Sequence, residues 1–456
     1  MNRAPMSQMA KLAGLLWLLL LAAPVVLPAP AWAIDVQKVV SPGGIEAWLV
    51  RDEKNPIISM QFSFDGGVEL DPADKLGLAR MVSTLLDEGA GDLKSEAFQE
   101  KLENNSISLS FSAGRDGFMG GVTTLKANAK LAFELLQLSL NRPRFDAEAI
   151  ERMRNAMLVT LKRSQADPGY AAQRAFAQTV FKGHPYANPT EGTPATVAKI
   201  QRDDLVGFVK RRFAKDTLKI GVSGDIQPDE LGRVLDQVFG GLPAKADPVV
   251  VPDFTSQGAG EMVEVKRPVP QTTVLIGQPG IKRQDPDWYA ALVLNYVLGG
   301  GGFSSRLMDE VREKRGLTYG VSSGLQPFEH SALVTVRAST VNDVAGQAID
   351  LIRQIWGEVQ QKGITQKELD DAKTYLTGSY ALSFTNNNAI ASIVLQVQRD
   401  KLGIDYLNQR NALIEKVSLA DANRVAKRLL DPKKLAVVVT GQPKGVQVTR
   451  TLEPVD

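Results

Sequence analysis

The sequence of 456 residues contains no cysteine and only two histidines, His184 and His330. Without cysteine there can be no disulfide bond, iron–sulfur cluster, thiolate zinc site or cysteine nucleophile. The two histidines are far apart in the sequence, so they cannot form the short-range pair found in many zinc motifs. Each lies in a loop, and we interpret both as packing residues rather than as metal ligands or catalytic bases.

Long apolar runs are also scarce, and the prominent one lies near the N-terminus. Arg3 and Lys11 precede the apolar run 12–21, and the small-residue segment 28–33 follows it. This order predicts a secretory signal peptide, residues 1–33, with an A-x-A cleavage site at its end. Three prolines interrupt the run before it reaches the roughly 20 residues that a membrane span needs. A retained membrane anchor is therefore the weaker alternative.

An excess of charge of one sign is absent as well. Removing residues 1–33 removes two basic side chains and no acidic one, which leaves 51 basic against 51 acidic side chains. A balanced charge does not favour nucleic-acid binding by bulk electrostatics. The leader and the lack of cysteine predict a periplasmic protein, which would contact a membrane only through an uncleaved leader.

The sequence does contain an internal repeat. Shifting it so that Lys199 falls on Lys416 aligns a long stretch without a gap. The other identities are Asp204 with Asp421, Lys210 with Lys427, Arg211 with Arg428, Leu218 with Leu435, Val222 with Val439, and Gly224 with Gly441. Such a repeat predicts two copies of one unit. We predict domains at 34–240 and 261–456, joined by a linker at 241–260 that is rich in proline and glycine.

Strand and helix patterns alternate within each copy, which predicts the α+β class. The patterns predict strands at 57–68 and 332–338, and helices at 76–86, 147–164, 289–298, 304–315, 343–361 and 366–380. For the helix 304–315 we expect Ser304 or Ser305 as the N-cap and Gly316 as the stop. Two similar halves joined by an extended linker predict a clamshell with a cleft between them.

Two local features are candidates for function. The glycine run 299–302 lacks the Lys-Ser/Thr of a P-loop and does not follow a strand, which argues against nucleotide binding. We interpret it as a turn in which the missing Cβ atoms let another backbone come close. Arg306 and Tyr319 flank the next predicted helix and could both donate to a carbonyl oxygen that gains negative charge. On spacing alone, a surface ion pair and a core tyrosine are the simpler interpretation.

Several segments resemble the insulinase family of zinc peptidases, which includes pitrilysin-like and mitochondrial-processing-peptidase-like proteins. The segment GGGGFSSRLMDEVREKRGLTYGVSS resembles the second-half signature of this family, and GHPYANPTEGTPATVAKI resembles the matching stretch of the first half. The resemblance extends over essentially the whole chain after the leader, including the duplication. It implies two homologous α+β domains, each with an antiparallel-rich sheet that helices cover on one face.

Active members of the family carry an H-x-x-E-H sequence, in which the two histidines bind zinc and the glutamate activates a water molecule. Aligned on the segment 77–79, this motif is degenerate here. Arg80 replaces the first histidine, Ser83 the glutamate and Thr84 the second histidine, and the third zinc ligand falls on Thr160. The resemblance thus implies no cofactor in this chain, and Arg80 places a positive charge where a cation would bind.

The same resemblance changes the interpretation of Arg306 and Tyr319, which match the arginine and tyrosine that the family presents to the substrate carbonyl. It implies the zinc-free subunit of a heterodimeric peptidase, with zinc in a homologous partner and a peptide or an unfolded protein as substrate. The alternative is an inert scaffold or peptide-binding protein of the same fold. A third alternative, a peptidase with an unrecognised metal site, has no histidine pair to support it.

Overall fold

The computed structural model describes residues 34–453, so the predicted signal peptide 1–33 lies outside the described residues. Two six-stranded sheets, one from each half of the chain, form the centre of the fold. The predicted α+β class with two similar halves is confirmed, whereas the domain boundaries 34–240, 241–260 and 261–456 stay a prediction. Between residues 34 and 453, no helix has the length and apolar character needed to cross a membrane.

The first sheet has the strand order β1-β2-β8-β3-β7-β6, and the second has the order β14-β9-β13-β10-β12-β11. The first comprises β1 Gln37–Val40, β2 Glu46–Arg51, β3 Ile57–Asp65, β6 Ser108–Ala113, β7 Gly117–Leu125 and β8 Leu218–Gly224. A small hairpin comprises β4 Gly89–Ala90 and β5 Leu93–Lys94. The second sheet comprises β9 Met262–Lys266, β10 Gln271–Pro279, β11 Gly320–Pro327, β12 Ala332–Val341, β13 Ala436–Gly441 and β14 Arg450–Leu452.

The two sheets correspond strand for strand over five of their six strands. In the first, β3 pairs antiparallel with β7 and β8, and β2 pairs parallel with β8. In the second, β10 pairs antiparallel with β12 and β13, and β9 pairs parallel with β13. The outer strands differ, because β1 is antiparallel to β2 whereas β14 is parallel to β9. The repeated identities at positions 218 to 224 and 435 to 441 therefore belong to equivalent central strands, β8 and β13.

Helices cover the sheets, and most of the predicted helices lie within a few residues of their expected bounds. In the first half they are Leu78–Ser83, Ser95–Asn104, Ala129–Asn141, Ala147–Gln165, Pro168–Val180, Pro194–Val197, Arg202–Arg212 and Pro228–Phe239. In the second they are Trp288–Asn295, Ala345–Lys362, Gln366–Gly378, Asn387–Arg399, Tyr406–Glu415 and Leu419–Leu429, with wider π-helical segments at Tyr296–Gly300 and Met308–Glu313.

One helix of the first half, Pro168–Val180, packs on the second sheet. Its Ala171 and Ala172 form a buried cluster with Val263 of β9 and Val438 of β13. These small side chains let the helix lie close to the strands, and they bury apolar surface that contributes about 25 cal/mol per Å². The second sheet therefore has one face covered by a helix from the other half of the chain.

The packing is reciprocal, because the helix Asn387–Arg399 of the second half packs on the first sheet. Asn387 donates a hydrogen bond to the carbonyl of Ile57 at 3.1 Å, and Gln398 donates to the carbonyl of Ile220 at 2.6 Å. A Cβ atom at Gly221 would lie 2.4 Å from the backbone oxygen of Ala391, so only glycine allows this approach. From Val36 onward the two halves consequently belong to one compact unit.

Candidate functional site

The segment around Arg306 begins with the predicted glycine run. Gly299 lies against β11, where an added Cβ atom would come within 2.6 Å of the backbone nitrogen of Ser323. The expected close approach of another backbone is therefore present. The glycine run belongs to the π-helical turn Tyr296–Gly300 and the 3-10 turn Gly302–Ser304. Arg306 follows the second turn after one residue.

Arg306 is the first helical residue after these turns, and Gly316 ends the segment in the left-handed region at φ 61°. Ser305 occupies the predicted N-cap position, since its backbone is extended and its carbonyl accepts from the backbone N–H of Asp309 at 3.0 Å, but its side chain does not cap the helix. The hydroxyl of Ser305 donates to the carbonyl of Gly302 at 2.7 Å instead of accepting a backbone N–H, and Ser304 lies in the preceding 3-10 turn. The helix is also wider than expected, since Met308–Glu313 is π-helical.

The guanidinium of Arg306 forms a bidentate ion pair with Glu368. Its Nε donates to Oε1 at 2.6 Å, and its Nη2 donates to Oε2 at 2.7 Å. About a quarter of each side chain remains exposed, 25% for Arg306 and 28% for Glu368. Paired, parallel hydrogen bonds of this kind fix the plane of the guanidinium as well as its position.

Glu368 is held from its other side by the helix to which it belongs. The carboxylate accepts hydrogen bonds from the backbone N–H of Thr365 at 2.7 Å and from the Thr365 hydroxyl at 2.8 Å, forming a capping box for the helix Gln366–Gly378. Burial acts to raise the pKa of Glu368, but the hydrogen bonds from Arg306 and Thr365 outweigh it and lower the pKa to about 2. The carboxylate therefore stays charged.

Arg306 also lines an open cavity of about 470 Å³. Its other walls include Glu310 and Arg315, whereas Leu351 and Ile355 contribute apolar atoms. Arg315 donates to the Glu310 carboxylate and, at 2.9 Å, to the Glu310 carbonyl, so these two charges satisfy each other. The cavity thus gives a ligand access to the Arg306 side chain.

Tyr319 lies immediately before β11, the edge strand of the second sheet. Its backbone N–H donates to the carbonyl of Ser339 at 3.0 Å, which fixes the start of the strand. Its side chain is 63% exposed, so it is not a core tyrosine. Within residues 34–453, its hydroxyl makes no hydrogen bond, and none joins it to Arg306. Tyr319 therefore has a free donor that faces solvent.

The degenerate positions of the zinc motif lie on the helix Leu78–Ser83 and directly after it. Ser83 donates its hydroxyl to the carbonyl of Arg80 at 2.7 Å, and Thr84 donates to the carbonyl of Met81 at 2.9 Å. The Arg80 side chain is exposed and has no ion-pair partner within residues 34–453.

Thr160 lies on the helix Ala147–Gln165 and donates its hydroxyl to the carbonyl of Ala156 at 2.9 Å. All three hydroxyls at the degenerate positions are therefore bonded to their own helices. None of these side chains is a carboxylate, imidazole or thiolate, the usual protein ligands of zinc. Across residues 34–453, no group of three or more such ligands could hold a metal ion. The residues present do not fit zinc.

Two buried carboxylates lie shortly before the degenerate helix, and sequence reasoning missed both. Asp71 accepts hydrogen bonds from the backbone N–H groups of Gly77 at 2.9 Å and Ala79 at 3.0 Å. Burial raises the pKa of Asp71 to about 7, since those hydrogen bonds compensate only in part. Burial, with the nearby charges of Asp116 and Asp71, raises the pKa of Glu69 to about 8. Asp71 therefore anchors the helix terminus, whereas Glu69 accepts hydrogen bonds from the backbone N–H of Gly67.

The two histidines, distant in sequence, lie in one aromatic cluster around Tyr186. The ring centroid of His184 is 4.5 Å from that of Tyr186, and the ring centroid of His330 is 6.2 Å from it. His184 Nδ1 accepts from the backbone N–H of Tyr186, and Nε2 lies 3.0 Å from the carbonyl oxygen of Pro252. Burial lowers the pKa of His184, which favours the neutral ring. These contacts agree with a packing role.

Two protein-family models match the chain. A model described as Insulinase (Peptidase family M16) matches residues 47–194, and one described as Peptidase M16 inactive domain matches residues 199–376. A non-peptidase homologue of Helicobacter pylori, YmxG, is 31% identical over 404 residues, which is 86% of this chain and 91% of that protein.

More distant similarity extends to other bacterial proteins. An uncharacterized zinc protease of Streptomyces coelicolor is 28% identical over 339 residues, which is 72% of each chain. The crystal structure of a peptidase M16 inactive domain from Pseudomonas fluorescens has a TM-score of 0.84 at 27% identity, and the match covers 91% of this chain and 99% of that one. A protease structure from Helicobacter pylori shares the fold with a TM-score of 0.80 at 18% identity.

Proposed function

The chain belongs to the insulinase family, peptidase family M16, and on that premise we propose that it is the zinc-free subunit of a heterodimeric metallopeptidase. In this role Arg306 and Tyr319 donate hydrogen bonds to the carbonyl oxygen of a peptide. A homologous partner supplies the zinc motif that positions 80, 83, 84 and 160 have lost. The observation that carries the proposal is the contrast between those residues, which do not fit zinc, and the accessible donors of Arg306 and Tyr319.

The state of each donor supports the proposal. A guanidinium has five N–H hydrogens, and the Glu368 carboxylate takes up two of those of Arg306. The Arg306 side chain faces an open cavity, and the Tyr319 side chain is 63% exposed. Donors aimed at an oxygen that gains negative charge stabilise the transition state more than the ground state, which is what catalysis requires.

We propose a peptide or an unfolded protein as the substrate, bound as an extended strand. The first sheet ends at β6 and the second at β11, and each of these strands has one neighbour in its sheet. An extended peptide can add to such an edge through main-chain hydrogen bonds, which recognise backbone more than sequence. We further propose that the protein acts in the periplasm after removal of residues 1–33, which follows from the order of charged, apolar and small residues in the leader.

The test is peptidase activity of this chain reconstituted with a homologous chain that carries an intact H-x-x-E-H motif. A quenched-fluorescence peptide library serves as substrate, and each chain is also assayed alone. Arg306→Ala and Tyr319→Phe should each lower turnover by about 10²- to 10³-fold, the usual effect of removing one such donor. Size-exclusion chromatography should show the heterodimer unchanged.

Tyr375→Phe is the matched control, because Tyr375 is another exposed tyrosine of the second half. It should leave turnover unchanged. Full activity of the complex with both Arg306→Ala and Tyr319→Phe would contradict the proposed role.

A second candidate is a non-enzymatic scaffold or peptide-binding protein of the same fold. It is favoured by the similarity to a protein described as a non-peptidase homologue. On this hypothesis the complex assembles and binds peptides, but its peptidase activity does not depend on Arg306 or Tyr319. The same variants therefore separate the two candidates.

A further inference from the structure

The ion pair of Arg306 supports an inference that rests on the proposed function and extends it. We propose that Glu368 is the positioning residue of the site: it fixes the guanidinium of Arg306 so that its unused edge faces the substrate carbonyl. The two residues belong to separate segments, the first helical residue after the glycine run and the first turn of the helix Gln366–Gly378. The ion pair thus fixes the position of one segment relative to the other.

The hydrogen-bond geometry leaves one edge of the guanidinium for a ligand. Nε and Nη2 form the edge that the two carboxylate oxygens of Glu368 occupy. Both hydrogens of Nη1 and one of Nη2 remain, and Nη1 makes no hydrogen bond within residues 34–453. A planar group held along one edge can present its other donors in one orientation only.

Electrostatics also require a carboxylate at this position. The first turn of a helix carries a partial positive charge, which repels a guanidinium. Glu368 lies in that turn and stays charged, because the hydrogen bonds from Arg306 and Thr365 hold its pKa well below the ordinary range. Without this charge, Arg306 would move away from the helix terminus and lose its fixed orientation. The carboxylates of Glu310 and Glu358 line the same cavity but are paired with Arg315 and Lys362, respectively.

Glu368 has a second role as part of a capping box, so the test must separate capping from positioning. Thr365→Ala removes the capping hydroxyl, which also donates to Glu368 Oε2, but it leaves both hydrogen bonds between Glu368 and Arg306 and the one from the Thr365 N–H. Glu415→Gln removes an exposed carboxylate outside this cavity, and within residues 34–453 the Glu415 side chain makes no hydrogen bond or ion pair. These two variants are the matched controls.

The experiment is a double-mutant cycle on the reconstituted complex, with kcat and KM measured on one peptide. Glu368→Gln should lower kcat about 10- to 100-fold, as expected for a misplaced catalytic group, and change KM less than twofold. In the Arg306→Ala background it should have no further effect on kcat. Glu368→Asp, which keeps the charge, should recover part of the loss. Glu415→Gln should keep kcat near the wild-type value, and Thr365→Ala should lower it far less than Glu368→Gln does.

The outcomes separate this inference from the function on which it rests. If Arg306→Ala leaves the activity intact, the proposed function fails and the positioning role fails with it. If Arg306→Ala lowers activity but Glu368→Gln does not, only the positioning role is overturned. A loss from Glu368→Gln that is equally large in the Arg306→Ala background, or that Thr365→Ala reproduces, would likewise overturn it in favour of a purely structural role.

Discussion

Tyr186 donates its hydroxyl hydrogen to the carboxylate of Asp116, and both residues of this first-half pair accept hydrogen bonds from the second half of the chain. The same hydroxyl accepts a hydrogen bond from the backbone N–H of His330 at 3.1 Å, and Asp116 accepts one from the backbone N–H of Glu329 at 3.1 Å. Asp116 lies in the turn between β6 and β7, and Glu329 and His330 lie in the equivalent turn between β11 and β12. The guanidinium carbon of Arg115 lies 5.1 Å from the Tyr186 ring centroid and completes the contact.

Removing the Tyr186 hydroxyl should loosen this joint. We expect Tyr186→Phe to lower the free energy of unfolding by about 2 kcal/mol, because it leaves the N–H of His330 without its partner and removes one of the donors to Asp116. Chemical denaturation measures the loss, and hydrogen exchange should speed up in the turn 327–331. Tyr375→Phe is the control, since Tyr375 is 58% exposed and its hydroxyl makes no hydrogen bond to the described part of the chain. Equal stability of the two variants would contradict the role of the joint.

Glu69 should make the protein less stable as the pH rises. Its folded-state pKa of about 8 lies above its ordinary value of 4.5, so the folded chain keeps a proton that the unfolded chain releases. Stability therefore falls between roughly pH 4.5 and pH 8. Glu69→Gln removes this titration, and its stability relative to wild type should rise by roughly 3 kcal/mol from pH 5 to pH 8. Urea titrations at several pH values measure this difference.

Glu100→Gln is the control for the pH prediction, because Glu100 lies on the exposed face of the helix Ser95–Asn104. Its stability should follow that of the wild type across the same range. A Glu69→Gln curve that also runs parallel to the wild type would show that Glu69 titrates alike in both states, contrary to the prediction.

Arg154 should be important for the stability of the first half. Its guanidinium is buried and donates to the carbonyls of Val197 at 2.5 Å and Ile200 at 2.8 Å. Arg154→Met keeps much of the volume but leaves the Ile200 carbonyl unsatisfied and the Val197 carbonyl with only the N–H of Ile200 at 3.3 Å, which should cost about 3 kcal/mol. Arg163→Met on the exposed face of the same helix should cost less than about 0.5 kcal/mol. Thermal and chemical unfolding of the two variants measure the difference.

The purified chain alone should bind no zinc. No residue at positions 80, 83, 84 or 160 offers an imidazole or a carboxylate, so elemental analysis should find far less than one zinc per chain. Micromolar zinc should leave the midpoint of thermal unfolding unchanged, because a ligand stabilises a protein only by binding its folded state. One tightly bound zinc per chain would refute the zinc-free assignment.

The parts of the fold that the sequence predicts are those in which the local pattern of apolar residues agrees with their burial in the structure. Leu218 and Leu435 are both buried at the start of a central strand, so both copies retain the same residue type. The helix Ala147–Gln165 was predicted to within one residue, because its apolar spacing and its end signals agree.

Other parts could not be predicted because they depend on contacts between distant segments. The π-helical segment Met308–Glu313 packs against β11, and nothing in its own spacing distinguishes it from an α-helix. The pattern Thr365-x-x-Glu368 indicates a capping box, but the ion pair with Arg306 follows only from the tertiary structure. Likewise, His184 and His330 are far apart in the sequence, and only the tertiary structure shows that they lie in one cluster.

The exchange of helices between the halves has a consequence for how the chain is made. The first sheet has one face open until the helix Asn387–Arg399 has been synthesised, and that helix comes long after β8 completes the sheet. Domains that can close their own core fold as soon as they leave the ribosome. The first half of this chain instead needs a helix of the second half to cover its sheet. The two halves thus exchange helices, as the two copies of a domain-swapped dimer exchange elements. The native state of the first half is therefore reached only after residues 387–399 have been synthesised.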